Sequence, residues 1–174
     1  SLFISIIEGI NQQEATVPKL RVLYTEIIGP YSNVYKKTSL IEKAVKDKFG
    51  ADISQCPCFG IYYDNPKITP KNKTRAIVGK IIDVTEERDF SQACEGLHIQ
   101  DIPGGEKALA LDIKFRNSAG ITCGIIRIYK RIESFLKEKK GEMKGTLEVY
   151  SKGKITVYCV LQEPHGNIWV PFEN

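Results

Sequence analysis

Histidine, methionine and tryptophan are scarce in this chain: two, one and one among 174 residues. With His98 and His165 the only imidazoles, no histidine-based triad assembles, and no nucleophile elbow stands in for one. The five cysteines, Cys56, Cys58, Cys94, Cys123 and Cys159, make one C-x-C and no C-x-x-C. A structural zinc takes two C-x-x-C pairs, or one pair with two histidines, so no metal is expected. The thiols read as reduced small hydrophobes of a cytosolic-type compartment. The glycine turns IPGG and GEKA lack the Gly-Lys-Ser/Thr step of a phosphate loop, and no cofactor is expected. No apolar run reaches the roughly 18 residues of a membrane span. Nor does one sign of charge dominate: 25 basic and 21 acidic residues leave +4, with a pI near 8.7. A nucleic-acid-binding domain more often has a pI above about 9 with its bases on one face, so nucleic acid is not an expected partner. The chain opens SLFISIIEG without a methionine, as a piece of a longer protein would. Membrane contact is therefore expected only through a segment outside this chain.

What is present is an ordinary globular mixture, 42% hydrophobic and 26% charged, at a length that suits one domain over residues 1–174. Such a chain buries about 70% of its unfolded surface and needs no staples. Residues 2–8, rich in β-branched side chains and closed by Gly9, predict a strand that NQQEATVP breaks. LRVLYTEII, Leu20 to Ile28, predicts a strand ended by Gly29-Pro30, because proline has no amide hydrogen for a ladder. From Ser32 or Asn33, either one an N-cap, the period becomes helical, with Val34, Ile41, Val45 and Phe49 on one stripe and Gly50 as the stop. Lys36, Lys37, Lys43, Lys46 and Lys48 then form its solvated face and receive no site role. FGIYYDNP, Phe59 to Pro66, is a strand running into a turn, since Asp and Asn side chains bond their own backbone and proline fixes φ. KITPKNK extends that turn into a loop. TRAIVGKIIDV, Thr74 to Val84, is the next strand, and Gly79 inside it signals a bulge or the close approach of another segment.

Residues 85–96 predict a short helix or a crossover, 97–103 a brief strand, and 106–116 a strand with Leu109, Leu111, Ile113 and Phe115 alternating. Asn117-Ser118 caps a second helix with Ile121, Ile125, Ile128, Ile132, Phe135 and Leu136 at helical spacing, lysines at its carboxyl end, and Gly141 closing it. Residues 143–152 and 155–162 predict a hairpin about Lys152-Gly153-Lys154, and HGNIWVPFEN a turn plus an edge strand. Residues 20–84 and 107–162 thus share one order. The predicted fold is α+β: two strand-helix-strand-strand repeats related by a pseudo-two-fold axis, an antiparallel sheet with helices on one face, and a central cleft.

Four pieces of sequence then stand in a distinctive order: GPY before the first helix (Gly29, Pro30, Tyr31), YYDNP after it, RAIVG in the following strand, and a late LEVY with a hairpin partner. Together they resemble the GyrI-like (gyrase-inhibitor-like) effector-binding family over nearly the whole chain, on the side of its membrane-linked endoplasmic-reticulum-phagy receptors. The resemblance implies a binding module rather than an enzyme, sitting in the cytosol or facing it from the endoplasmic reticulum membrane. Its implied partners are a small amphipathic or cationic ligand, or proteins. Drug-sensing members hold cationic or aromatic molecules against aromatic rings and one acidic side chain, and other relatives hydrolyse cyclopropane compounds with a carboxylate. The membrane-linked members carry an upstream anchor and a tail with an autophagy-interacting motif. Carried onto this sequence, the pocket carboxylate falls at Glu148, with Tyr62, Tyr63, Tyr150 and Trp169 as its aromatic surround.

A carboxylate partly desolvated beside aromatic rings attracts an organic cation by roughly 0.5 to 2 kcal/mol per ring contact, and with a raised pKa it serves as a general acid or base. Three readings follow: a ligand- or partner-binding module within a membrane-tethered adaptor, a cyclopropanoid hydrolase using Glu148, and an interaction domain whose pocket has filled in. Against all three stands a solvent-facing Glu148 paired with a lysine such as Lys154. Strand parity places Glu148 and Tyr150 on one face, Leu147 and Val149 on the other, and sends Tyr62 and Tyr63 to opposite faces. Trp169 also suits a core plug, and Asp64, Asn65 and His165 suit turns.

Overall fold

The computed structural model describes residues 5–7 and 9–173, so part of the predicted first strand, residues 2–4 and 8, lies outside the described residues. In chain order the strands are β1 Ser5–Ile7, β2 Ile10–Thr16, β3 Leu20–Ile28, β4 Cys58–Tyr62, β5 Arg75–Ile82, β6 His98–Ile102, β7 Lys107–Lys114, β8 Gly145–Ser151 and β9 Lys154–Val160; the helices are α1 Val34–Phe49 and α2 Ser118–Lys139. They form two compact units, one of residues 19–103 with 166–174, which contains α1, and one of residues 1–18 with 104–165, which contains α2. The expected α+β architecture is what each unit shows.

In the α1 unit the strand order is β4-β5-β3-β6, with antiparallel pairing throughout. Helix α1 lies on one face, where Ile41 and Val45 pack with Leu23 and Ile82, and Val34 with Ile27, Ala76 and Val78. The predicted stripe gains Thr38, buried at the same spacing. Gly50 ends the helix in the left-handed conformation, φ 66°, donating its N–H to the Lys46 carbonyl. The start differs from expectation: Asn33 makes no side-chain cap, because a 3-10 turn over Tyr31–Asn33 leads directly into α1. Gly79 is required by close approach, since a Cβ there would stand 1.8 Å from the Leu23 carbonyl oxygen.

In the α2 unit the order is β1-β2-β7-β9-β8, again antiparallel. Ile128 and Ile132 of α2 pack on Leu109, Leu111, Ile113, Ile155, Val157 and Cys159. Asn117 caps α2 by accepting a hydrogen bond from the Gly120 N–H at 2.9 Å. The helix stops one residue before the expected glycine: Lys140 takes the left-handed conformation, φ 51°, and Gly141 donates to the Leu136 carbonyl. Lys152 and Gly153, both at positive φ, make the two-residue turn of the predicted β8–β9 hairpin.

Two expectations are corrected. INQQEAT is a strand rather than a break, because β2 pairs along its length with β7, so the ladder overrides a polar composition. Residues 163–173 form a 3-10 turn, Asn167–Trp169, and no edge strand; Pro164 and Pro171 supply no amide hydrogen and Gly166 turns the chain at φ 97°. The α1 unit runs β3, α1, β4, β5, β6 and the α2 unit β1, β2, β7, α2, β8, β9, so the strand number and order of the two units differ.

Candidate functional site

Register decides which way Glu148 faces. On β9 it lies opposite Val157, and Tyr150 lies opposite Ile155; both partners belong to the core beneath α2. Glu148 and Tyr150 therefore point to the helix-covered side, where Glu148 is 5% exposed. Tyr129 comes down from α2 and donates its hydroxyl hydrogen to Glu148 Oε2 at 2.6 Å, while the Tyr150 hydroxyl donates to Oε1. Tyr129 reaches that depth because it stands four residues after Ile125 and three before Ile132, on the stripe that packs against the sheet.

Among the described residues no lysine, arginine or histidine forms an ion pair with Glu148. Burial pushes its carboxyl pKa up and the two tyrosine hydroxyls pull it back, with burial dominant, so the net direction is upward. The alternative of an exposed Glu148 paired with Lys154 is overturned, since Lys154 lies opposite Ser151 at the exposed turn. The result is a carboxyl between two phenols in a dry setting: a group that holds its proton longer than an ordinary glutamate and, once ionised, has no countercharge.

The other expected aromatic residues stand in the α1 unit. Tyr62 is on the α1 side, edge-on to Tyr31 with ring centroids 4.8 Å apart, and its ring lies over Gly60, where a Cβ would come within 2.7 Å of it. Tyr63 faces the other way, donating its hydroxyl to the Ile168 carbonyl at 2.6 Å and meeting Phe172 edge-on. Burial raises its pKa. Trp169 is half-buried, its indole Nε1 enclosed and without a hydrogen-bond partner. Within its own unit the structure brings together Glu148, Tyr150 and the unanticipated Tyr129. The sequence signal for Tyr129 was its place in the Ile125–Ile132 stripe.

Two further polar groups escaped the sequence reading. Asp64 is more than a turn residue: its carboxylate clamps the Arg75 guanidinium with both oxygens at 2.9 and 3.0 Å and also accepts from the Arg75 N–H. Lys80, 1% exposed, meets Glu42 of α1 at 2.5 Å and donates to the Cys56 carbonyl at 3.1 Å. A solvent-open depression lined by Asp83, Thr85, Glu86, Glu87 and Arg88 carries no comparable chemistry, because Glu86 already binds Arg88 and Asp83 already binds Thr85. Among the described residues no helix is long and apolar enough to cross a membrane, and no cluster of three or more metal-ligating side chains is present.

Antiparallel strands with a helix packed on one face make each unit α+β in class. Residues 13–115 match the family described as GyrI-like small molecule binding domain, and the chain belongs to that family. The match ends before α2 and β8, so Glu148, Tyr129 and Tyr150 rest on this chain's own geometry. Testis-expressed protein 264 homolog of Mus musculus is 27% identical over 116 residues, covering 64% of this chain and 37% of that protein. Testis-expressed protein 264 of Homo sapiens is 25% identical over the same shares. The chain thus spans little more than a third of the length of these curated relatives. Among solved structures, the EcmrR C-terminal domain superposes with a TM-score of 0.61 at 14% identity, covering 88% of this chain and 98% of that one. A hydrolase from Listeria innocua gives 0.52 at 11% identity, covering 86% and 91%. At these identities the likeness is one of fold.

Proposed function

We propose that this chain is a binding module for a small amphipathic or cationic ligand, received at the Glu148 carboxyl between Tyr129 and Tyr150. The observation that carries the reading is a buried carboxylate with two phenol donors and no cationic partner among the described residues. Ionised in a dry site, such a group favours an incoming organic cation, and each phenol ring adds cation–π attraction. Tyr129 and Tyr150 are both half-buried, so a ligand would reach the buried Glu148 by displacing one of the two phenols. The family's description as small-molecule-binding supports the same reading.

The test is thermal unfolding with a panel of delocalised aromatic cations, tetraphenylphosphonium first. Binding to the native state alone raises Tm, by the equivalent of about 2.7 kcal/mol at one hundred times Kd. Glu148→Gln, which keeps the shape and removes the charge, is expected to abolish the shift. Absence of any shift across the panel, or a shift that survives Glu148→Gln, refutes the proposal.

A second reading is favoured by the upward pKa direction of Glu148, which suits general acid–base chemistry. It predicts hydrolysis of a strained cyclopropane substrate that Glu148→Gln abolishes; undiminished turnover by that variant rules it out. As to setting, we read the chain as the folded part of a membrane-tethered adaptor of the endoplasmic-reticulum-phagy kind. Support comes from the sequence resemblance and from the identity to the testis-expressed relatives. Recovery of the full-length protein in the soluble fraction after alkaline extraction of cell membranes argues against it.

A further inference from the structure

The charge and apolar surface at one end of the α1 unit are not used by the Glu148 site. Ile68, in the connection between β4 and β5, is 83% exposed, the most exposed large hydrophobic side chain among the described residues. It is displayed by an ordered loop: the Asn65 carbonyl accepts from the Ile68 and Thr69 N–H groups at 3.1 and 2.9 Å, the Asn65 side chain accepts from the Lys67 N–H, and the Pro70 carbonyl accepts from the Lys73 N–H. The loop is fastened to the turn before α1. Thr74 and Gly29 exchange two hydrogen bonds, at 2.7 and 2.8 Å, and the Tyr31 hydroxyl shares its hydrogen between the Arg75 and Asp64 carbonyls, 2.9 and 3.0 Å away. Ile28, 52% exposed, and Lys36 and Lys37 in the first turn of α1 are thereby held at the same end.

Across residues 28–37 and 64–75 the cations are Lys36, Lys37, Lys67, Lys71, Lys73 and Arg75, and the one carboxylate is Asp64. Asp64 is consumed by Arg75. Glu26, two residues back along β3 from Ile28, is the adjoining acidic side chain on that strand. This end of the unit is therefore lysine-rich and carries a well-exposed isoleucine.

We propose that this end, the β4–β5 loop with the turn preceding α1, docks on the surface of an anionic phospholipid membrane. Lysines are point charges on flexible stems that need no fixed geometry in their partner, so a plane of anionic headgroups suits them. Their stems extend along the boundary while the heads stay wet, and Ile68 enters the acyl margin as the apolar signal beside the electrostatic one. A peptide partner is read in a groove or along an open strand edge, whereas these lysines stand on a 3-10 turn and the start of a helix. This surface is independent of the Glu148 reading, and failure of either leaves the other standing.

The test is cosedimentation of the full chain with sucrose-loaded vesicles of phosphatidylcholine, with and without phosphatidylserine. Binding is expected only with phosphatidylserine, and weaker in about 0.5 M salt, where screening is short-ranged. Lys71→Gln with Lys73→Gln is expected to weaken binding about twenty-five-fold, at roughly fivefold per lysine, and Ile68→Ser about tenfold. The charge-matched control Lys137→Gln with Lys139→Gln on α2 should bind as the unaltered chain does. No binding to anionic vesicles overturns the proposal. So does equal loss in the α2 control, which would mean that net charge alone acts, or full binding by Ile68→Ser. Binding to polyglutamate without binding to vesicles overturns it in favour of an acidic protein partner.

Discussion

Replacing Glu148 by glutamine should stabilise the protein at neutral pH and leave it nearly unchanged in acid. In the fold the carboxyl is 5% exposed and faces two tyrosine hydroxyls with no cation among the described residues. Ionised there, it bears a desolvation cost of several kcal/mol, partly offset by two hydrogen bonds to a charged acceptor at about 1.5 to 3 kcal/mol each. Glutamine keeps both contacts as neutral ones, at about 0.5 to 1.5 kcal/mol each, and removes the cost. The balance is a gain of about 1 to 2 kcal/mol above the folded pKa of the glutamate. The sign with pH follows from the upward shift. Below the unfolded-state pKa, about 4.3, both states are protonated and Glu148 costs nothing. As pH rises from there the unfolded chain ionises first, so stability falls until the folded carboxyl ionises as well. Urea unfolding of both proteins at a series of pH values reads the difference directly. A difference independent of pH, or a loss of more than about 2 kcal/mol in Glu148→Gln at pH 8, would refute the account of a dry, unpaired carboxyl.

Three smaller predictions use the same measurement. Gly79→Ala drives a Cβ into the Leu23 carbonyl, a backbone atom that cannot step aside, and should cost more than about 3 kcal/mol or prevent folding. Lys80→Met leaves the Ser54 and Cys56 carbonyls and Glu42 without their ammonium partner; because Glu42 still reaches solvent, the loss should be about 2 to 3 kcal/mol, whereas Lys43→Ala breaks an exposed pair and should cost under about 0.5 kcal/mol. Asp64→Asn should cost about 1 to 2 kcal/mol at pH 7. The Arg75 hydrogen bonds hold the Asp64 carboxyl below its usual pKa, so the stability it adds is full above the unfolded value of about 3.9 and is lost as pH falls through the folded one; the variant should converge on the parent in strong acid.

Much of the framework could be read from local pattern. The stripe Val34, Ile41, Val45 and Phe49 marked α1 because helical period and burial coincide there, and Asn117 marked the start of α2 because its side chain does the capping. Gly79 announced a close approach that the Leu23 carbonyl makes. Where local chemistry and tertiary context disagreed, context prevailed. INQQEAT carries few β-prone residues yet becomes β2, since β7 offers it a ladder. Asp64 has the sequence of a turn former, and its pairing with Arg75, eleven residues on, depends on β4 and β5 lying side by side.

For the candidate site the division is sharper. The alternation of β8 alone set Glu148 and Tyr150 on a common face, because side chains along a strand have period two. Which face met the core was settled by the register with Val157 and Ile155 and by α2 closing over it. Tyr129 is nineteen residues from Glu148, and no spacing rule links a helix position to a particular carboxylate across a sheet. The family resemblance grouped Tyr62 and Tyr63 with Glu148, and the contacts they make inside their own unit, with Tyr31, Ile168 and Phe172, are ones that no local pattern announces. By itself the sequence determined the two helices, most of the strands and which side chains along each element share a face, since those are properties of a few adjacent residues. The tertiary structure alone decided which charges are buried and what they touch, since desolvation and hydrogen bonding depend on segments far apart in the chain.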